Sequence, residues 1–246
     1  MRRLFAFATV LLLTAPAWAS GAHTLTWSDS ELRFDLPAGL CSIDKNDNST
    51  EDVIFEAMSQ NYEPESMLHL MAIPCSARDR VRDPGDDLID FSFDHWFLIF
   101  SPRDELPGGI SRKTYLAEAA RFFAMLDFGD FIGSLNTKIN DNELMQLSGG
   151  VTVSELARVG EVTTDEAAVY IRVATFMQTV EGENPVAGVM GTTLVLGDDI
   201  AAAAYSNIAP GFSYEPLEAE IEVFMNDLVT INGPPADLSG SSGSDY

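Results

Sequence analysis

Between Glu155 and Asn207 apolar residues recur with a period of two in four successive runs, 155–162, 167–179, 186–196 and 200–207. Alternation of this kind sends neighbouring side chains to opposite faces of an extended chain, so this half of the sequence specifies strands rather than a helical bundle. In the second run Val169, Ile171, Val173 and Thr175 face one way, while Tyr170, Arg172, Ala174 and Phe176 face the other. Turn clusters at Glu181-Gly182-Glu183-Asn184 and Gly197-Asp198-Asp199 interrupt the pattern. Connections that short join antiparallel neighbours. The alanines Ala201 to Ala204 favour a helix by propensity, but the turn before them makes this segment the return strand of a hairpin. An antiparallel meander with an apolar face needs a cover. A helix over about 216–229 supplies one, with Leu217, Ile221, Phe224 and Leu228 at i, i+4, i+7 and i+11.

The first half mixes elements. Leu25-Thr26-Trp27 and Leu32-Arg33-Phe34-Asp35-Leu36 flank the polar Ser28-Asp29-Ser30, the pattern of a hairpin that Pro37 and Gly39 end just before Cys41. A helix is expected over 51–60, where Ser49 and Asp52 form a capping box, Glu51 and Asp52 suit the positive helix start, and Ile54, Ala57, Met58 and Tyr62 share a face. Met67 to Ile73 reads as a buried strand, 76–90 as a polar loop, and 91–100 as a second apolar strand. A helix over 114–126 turns Leu116, Ala119, Phe123 and Leu126 inward. The stretch 129–150 shows no clear period beyond a short helix at 141–147. After Asn232 the run GPPADLSGSSGSDY reads as a disordered tail. The fold class is therefore α+β, a mainly antiparallel sheet covered by amphipathic helices.

Residues 1–19 read as a secretory leader. Arg2 and Arg3 precede a short apolar stretch, Leu4 to Leu13, and Ala17-Trp18-Ala19 is a small-x-small site that places cleavage before Ser20. One domain over 20–232 and the tail 233–246 follow, and the apolar stretch is too short for a span of the mature chain. Periplasm or secretion is the expected location. There Cys41 and Cys75, the only two cysteines, are expected to form a disulfide closing a loop of about 34 residues, worth roughly 3–4 kcal/mol. The chain holds 14 Lys+Arg against 38 Asp+Glu, a net charge of −24, and the leader removes two of those cations and no acid. So negative a body repels nucleic acid and anionic lipid.

With its Phe34-x-Leu36-Pro37-x-Gly39 corner, the order hairpin, helix, strands, helix, meander, closing helix resembles the PsbP/Mog1-like α/β/α sandwich, and more specifically uncharacterised exported bacterial proteins of that plan. The resemblance spans about 25–232. It implies a sandwich that binds another protein rather than one that catalyses, and the cysteine pair departs from the group's general pattern.

Residues capable of chemistry are few. His69 and His95 fall in two expected strands and could meet, with Asp94, as an acid–base or metal site, although their spacing follows no established ligand pattern. His23 lies near the expected N-terminus. Arg78, Arg80 and Arg82 could hold an anion or an acidic partner, or pair with Asp79, Asp83, Asp86 and Asp87 at the surface. Asp44-x-Asn46-x-Asn48 starts like a calcium loop but has Ser49 for the central glycine and Phe55 for the closing glutamate, which favours a helix-capping loop. Gly188-x-x-Gly191-Thr192-Thr193 lacks a P-loop lysine and reads as bends in a strand. No nucleophile elbow and no cofactor motif is present. The expectation is an exported, non-catalytic domain that binds another protein or a small ligand without a cofactor. The alternative is a hydrolase of unfamiliar type using carboxylates or the His69/His95 region.

The pairing of the cysteines is directly measurable. Mature protein unfolded without reductant should show no reactive thiol, and two after reduction. Two thiols before reduction would exclude the bond.

Overall fold

The computed structural model describes residues 22–27, 30–43, 50–63, 65–82, 93–103, 106, 109–126, 136–137, 152–179 and 182–233. The expected leader and cleavage site, the Asp44-Asn46-Asn48 run, the cap expected at Ser49, the short helix expected at 141–147 and the expected tail after Gly233 lie outside them. The described chain is α+β, as the sequence implies. Strands β1 (His23–Trp27) and β2 (Ser30–Phe34) form the opening hairpin, followed by β3 (Leu40–Ser42), helix α1 (Thr50–Gln60) and β4 (Ser66–Pro74). Helix α2 (Cys75–Arg82), β5 (His95–Pro102) and helix α3 (Arg112–Met125) come next. Then follow β6 (Thr152–Arg158), β7 (Thr163–Thr164), β8 (Val169–Thr179), β9 (Gly182–Val195), β10 (Asp198–Asn207) and helix α4 (Glu215–Asn232).

Eight strands make one antiparallel sheet in the order β3-β4-β5-β10-β9-β8-β6, with β7 also against β8. The alternation of the C-terminal half does what its period demands. Tyr170 on β8, Gly191 on β9, Ala202 on β10 and Ile99 on β5 stand in one cross-strand row. Their face carries α4, whose Leu217, Ile221, Phe224, Met225 and Leu228 are buried among Phe97, Ile99, Val189, Ala202 and Ala204. Burying each large side chain of that set stabilises by about 1.5–3 kcal/mol, an upper figure. Residues of opposite parity serve the other face. There Leu98 and Met71 pack with Ile54 and Phe55 of α1 and with Ala77 and Val81 of α2. Thr192, next to Gly191 along β9, meets α3 on that same side. Helices thus cover both faces of the sheet, an α/β/α sandwich.

Strand geometry overrides propensity in β10, where Ile200 to Ala204 are all buried between β5 and β9. The turn into it is Leu196-Gly197, at φ 55° and 95°. Two positive φ values in a two-residue loop are those of a type I′ hairpin, which the sheet's twist favours even though a leucine there costs about 1 kcal/mol.

Three features differ from the sequence reading. The expected polar loop after Cys75 is helical through Arg82, because Ala77 and Val81 find an apolar seat that their charged neighbours conceal in the sequence. Gly188 and Gly191 are not bends. A Cβ at Gly188 would lie 2.6 Å from the Tyr205 ring, and one at Gly191 would lie 2.9 Å from Ile221 Cγ2 and from Met225 Cγ, so both glycines make room for what packs on them. Glu51 is more than a helix-start acid. Its side chain is 1% exposed and pairs with the Arg82 guanidinium, locking α1 to α2.

The Cys41–Cys75 disulfide is formed, with the Cα atoms 4.8 Å apart. It ties the three-residue β3 to the first residue of α2, beside the bond from Cys75 N–H to the Gly39 carbonyl.

Close approach of α4 to β9 makes a definite demand. Gly191→Ala should cost about 1–3 kcal/mol, read from urea unfolding. An unchanged midpoint and slope would show that α4 does not sit as described.

Candidate functional site

The two strand histidines do not meet. His69 lies where a bulge shifts the register of β4 between Leu68 and Leu70, and its Nε2 is 3.1 Å from Ser101 Oγ, near the end of β5. His95 opens β5, with its Nε2 3.1 Å from Glu220 Oε1 on α4. Six residues of one strand separate these anchor points, roughly 20 Å at the usual rise. Asp94 is turned to Asn207, which donates from its backbone N–H to the Asp94 carbonyl and from its amide to Oδ1. Among the described residues no group of three or more His, Cys, Asp or Glu side chains stands close enough to hold a metal ion. His23 stacks on Phe34 with centroids 5.6 Å apart, and burial lowers its pKa.

The three arginines share α2 but not a purpose. Arg82 goes to Glu51, while Arg80 donates back to the Ser76 carbonyl at 3.3 Å. The Nε of Arg78 is buried, with no hydrogen-bond partner among the described residues. Asp83, Asp86 and Asp87, expected as surface partners, lie outside the described residues. Arg82 is instead the outer half of a pair whose acid is buried. Its own side chain is 49% exposed, so water shares the cost of its charge.

Helix α3 is assembled differently. Ser111 caps it by accepting from Thr114 N–H, and polar anchors then attach it to the sheet. Arg112 donates from Nε to the Leu194 carbonyl at 2.9 Å and from Nη2 to the Gly233 carbonyl at 3.3 Å. The Tyr115 hydroxyl lies 2.6 Å from Thr192 Oγ1, which itself donates to the Ile200 carbonyl, so tyrosine is the donor to threonine. At the far end Arg158 on β6 donates to the Phe123 carbonyl, serving the negative helix terminus.

Of the inward stripe read from the sequence, Leu116 is buried and Ala119, Phe123 and Leu126 are half-buried. The outward side holds Phe122 and Met125, three residues apart on one face and 57% and 78% exposed. Arg121 is exposed one turn from Met125 and Glu118 one turn from Phe122, while Lys113 is exposed nearer the helix start. The sequence reading passed over Phe122 and Met125. Their signal was an aromatic and a methionine placed off the core stripe of a helix whose inward positions were already filled.

Beside the α3 anchors, the β10 residues Asp198 and Asp199 sit half-buried. Burial pushes the Asp199 carboxyl up to about 6, and Asp198 is raised in the same direction by the same cause. The Tyr115 hydroxyl is pushed up to about 12, chiefly by burial, and the Asp199 charge adds to the shift. No protein-family model matches the chain, and no curated protein sequence matches it.

A raised acid favours folding only while protonated, so the Asp199 contribution is present below about pH 4 and lost as pH rises through about 6. Asp199→Asn should therefore be more stable than the parent at about pH 7, with the gap closing towards about pH 4. Thermal unfolding across that range measures this. A difference that does not change with pH would contradict the burial of the carboxyl.

Proposed function

We propose that this chain is an exported binding domain that engages a protein partner through the outward face of α3. The observation that supports this most is the exposure of Phe122 and Met125 side by side on a helix whose opposite side is held by hydrogen bonds at both ends. Single exposed apolar residues are ordinary, but an aromatic and a methionine together on a helix held at both ends suit a contact that covers them. Charge narrows the partner. In a chain of net charge −24, α3 exposes Lys113 and Arg121 against Glu118 alone, so the favoured partner presents an apolar surface rimmed by carboxylates. Export is part of the proposal and draws on the leader pattern of 1–19 and on the disulfide. The likeness to PsbP/Mog1-like sandwiches favours protein binding over catalysis by analogy.

A pull-down from the periplasm of the producing cell, comparing the parent with Phe122→Ser/Met125→Ser, tests the reading. Surface changes of this kind should leave stability within about 0.5 kcal/mol. A protein retained by the parent and lost by the variant is expected. Equal retention by both, or none by either, would count against α3 as the contact.

A further inference from the structure

Two asparagines occupy places where a neighbouring strand would pair. Asn136 accepts from the Val153 N–H at 2.7 Å and donates to the Val153 carbonyl at 2.6 Å. Asn232, the last residue of α4, accepts from the Arg33 N–H at 2.9 Å and donates to the Arg33 carbonyl at 2.8 Å. A primary amide presents a donor and an acceptor side by side, so each asparagine satisfies both outward groups of one residue as a paired strand does. The residues they serve lie on edges. Among the described strands β6 ends the order of the large sheet and β2 pairs with β1 alone. The Asn232 amide also donates to the Leu228 carbonyl at 2.7 Å, which fixes it to its own helix.

An edge strand with unpaired backbone groups is a template for another chain, and in a solution of this protein that chain is a second copy. We propose that Asn136 and Asn232 are edge plugs that keep β6 and β2 from adding a strand of a second copy of this chain. Backbone groups alternate along an antiparallel strand, so with Arg33 facing outward Glu31 faces outward too, and the plug at Arg33 obstructs one of the two outward-facing positions along the β2 edge.

Hydrogen exchange and sedimentation of Asn232→Ala and Asn136→Ala test this. In dilute solution the Arg33 amide in the first variant and the Val153 amide in the second should exchange roughly tenfold faster. As concentration rises each variant should associate over a range where the parent's sedimentation does not change. Adding Glu31→Pro to Asn232→Ala removes an outward N–H from the same edge and should restore parental sedimentation. Circular dichroism checks folding. Should Asn136→Ala fail to fold, the exposed Asn232 site decides the matter. Unchanged exchange, faster exchange without association, or association that Glu31→Pro does not suppress would each overturn the proposal.

Discussion

The seat of α4 on β9 and β10 is the constraint from which the rest of the architecture follows. Helix and sheet approach closely only where the sheet presents little side chain, and the paired Gly191 and Ala202, with Ala204 on the same face, provide that floor. On it the Phe224 ring packs edge-on against Phe97 at 4.9 Å and against Phe34 at 5.9 Å, so one helix residue joins the sheet to the opening hairpin. At the rim the Arg172–Glu218 ion pair and the His95–Glu220 contact hold the first two turns of the helix. Arg172 also lies over the Tyr214 ring, whose hydroxyl donates to the Val173 carbonyl. The apolar contact supplies the energy and the polar contacts select one register.

The opposite face is held by other means. There α1 and α2 are joined by a buried carboxylate and its arginine, and α2 is tied covalently to β3. Helix α3 buries fully only Leu116 and depends on hydrogen bonds from Arg112 and Tyr115. A helix anchored mainly by polar contacts opens more cheaply than one seated in the core. The difference between the two faces gives a physical reason for assigning the sheet-bound α4 to stability and the outward side of α3 to contact.

How far the sequence foretold this depended on whether a residue's fate was decided locally. The period of two in β8 and the spacing of Leu217, Ile221, Phe224 and Leu228 are local patterns, and the strands and the helix stand where they indicate. The disulfide followed from the expected compartment and from the count of two cysteines. Other features needed distant partners. Glu51 looked like a helix-start acid because Arg82 is 31 residues away. Helix α2 hid behind its arginines and aspartates, since two apolar residues suffice once a seat exists. Gly188 and Gly191 read as bends in a strand because Tyr205 and Met225, which need the space, belong to other elements. Sequence placed His69 and His95 on strands correctly, but only the register of β4 on β5 shows them at opposite ends. The exposed Phe122 and Met125 of α3, with Arg121 beside them, emerged only once the inward side was known.

Native-state hydrogen exchange in rising denaturant measures the central claim, that α4 and the middle strands form one unit. The amides of Ala202 to Ala204 and those of Ile221 to Leu228 should merge on a single opening free energy equal to that of global unfolding. If the α4 amides exchange through a smaller opening while those of β10 stay protected, the helix is an attachment to the sheet and the account fails.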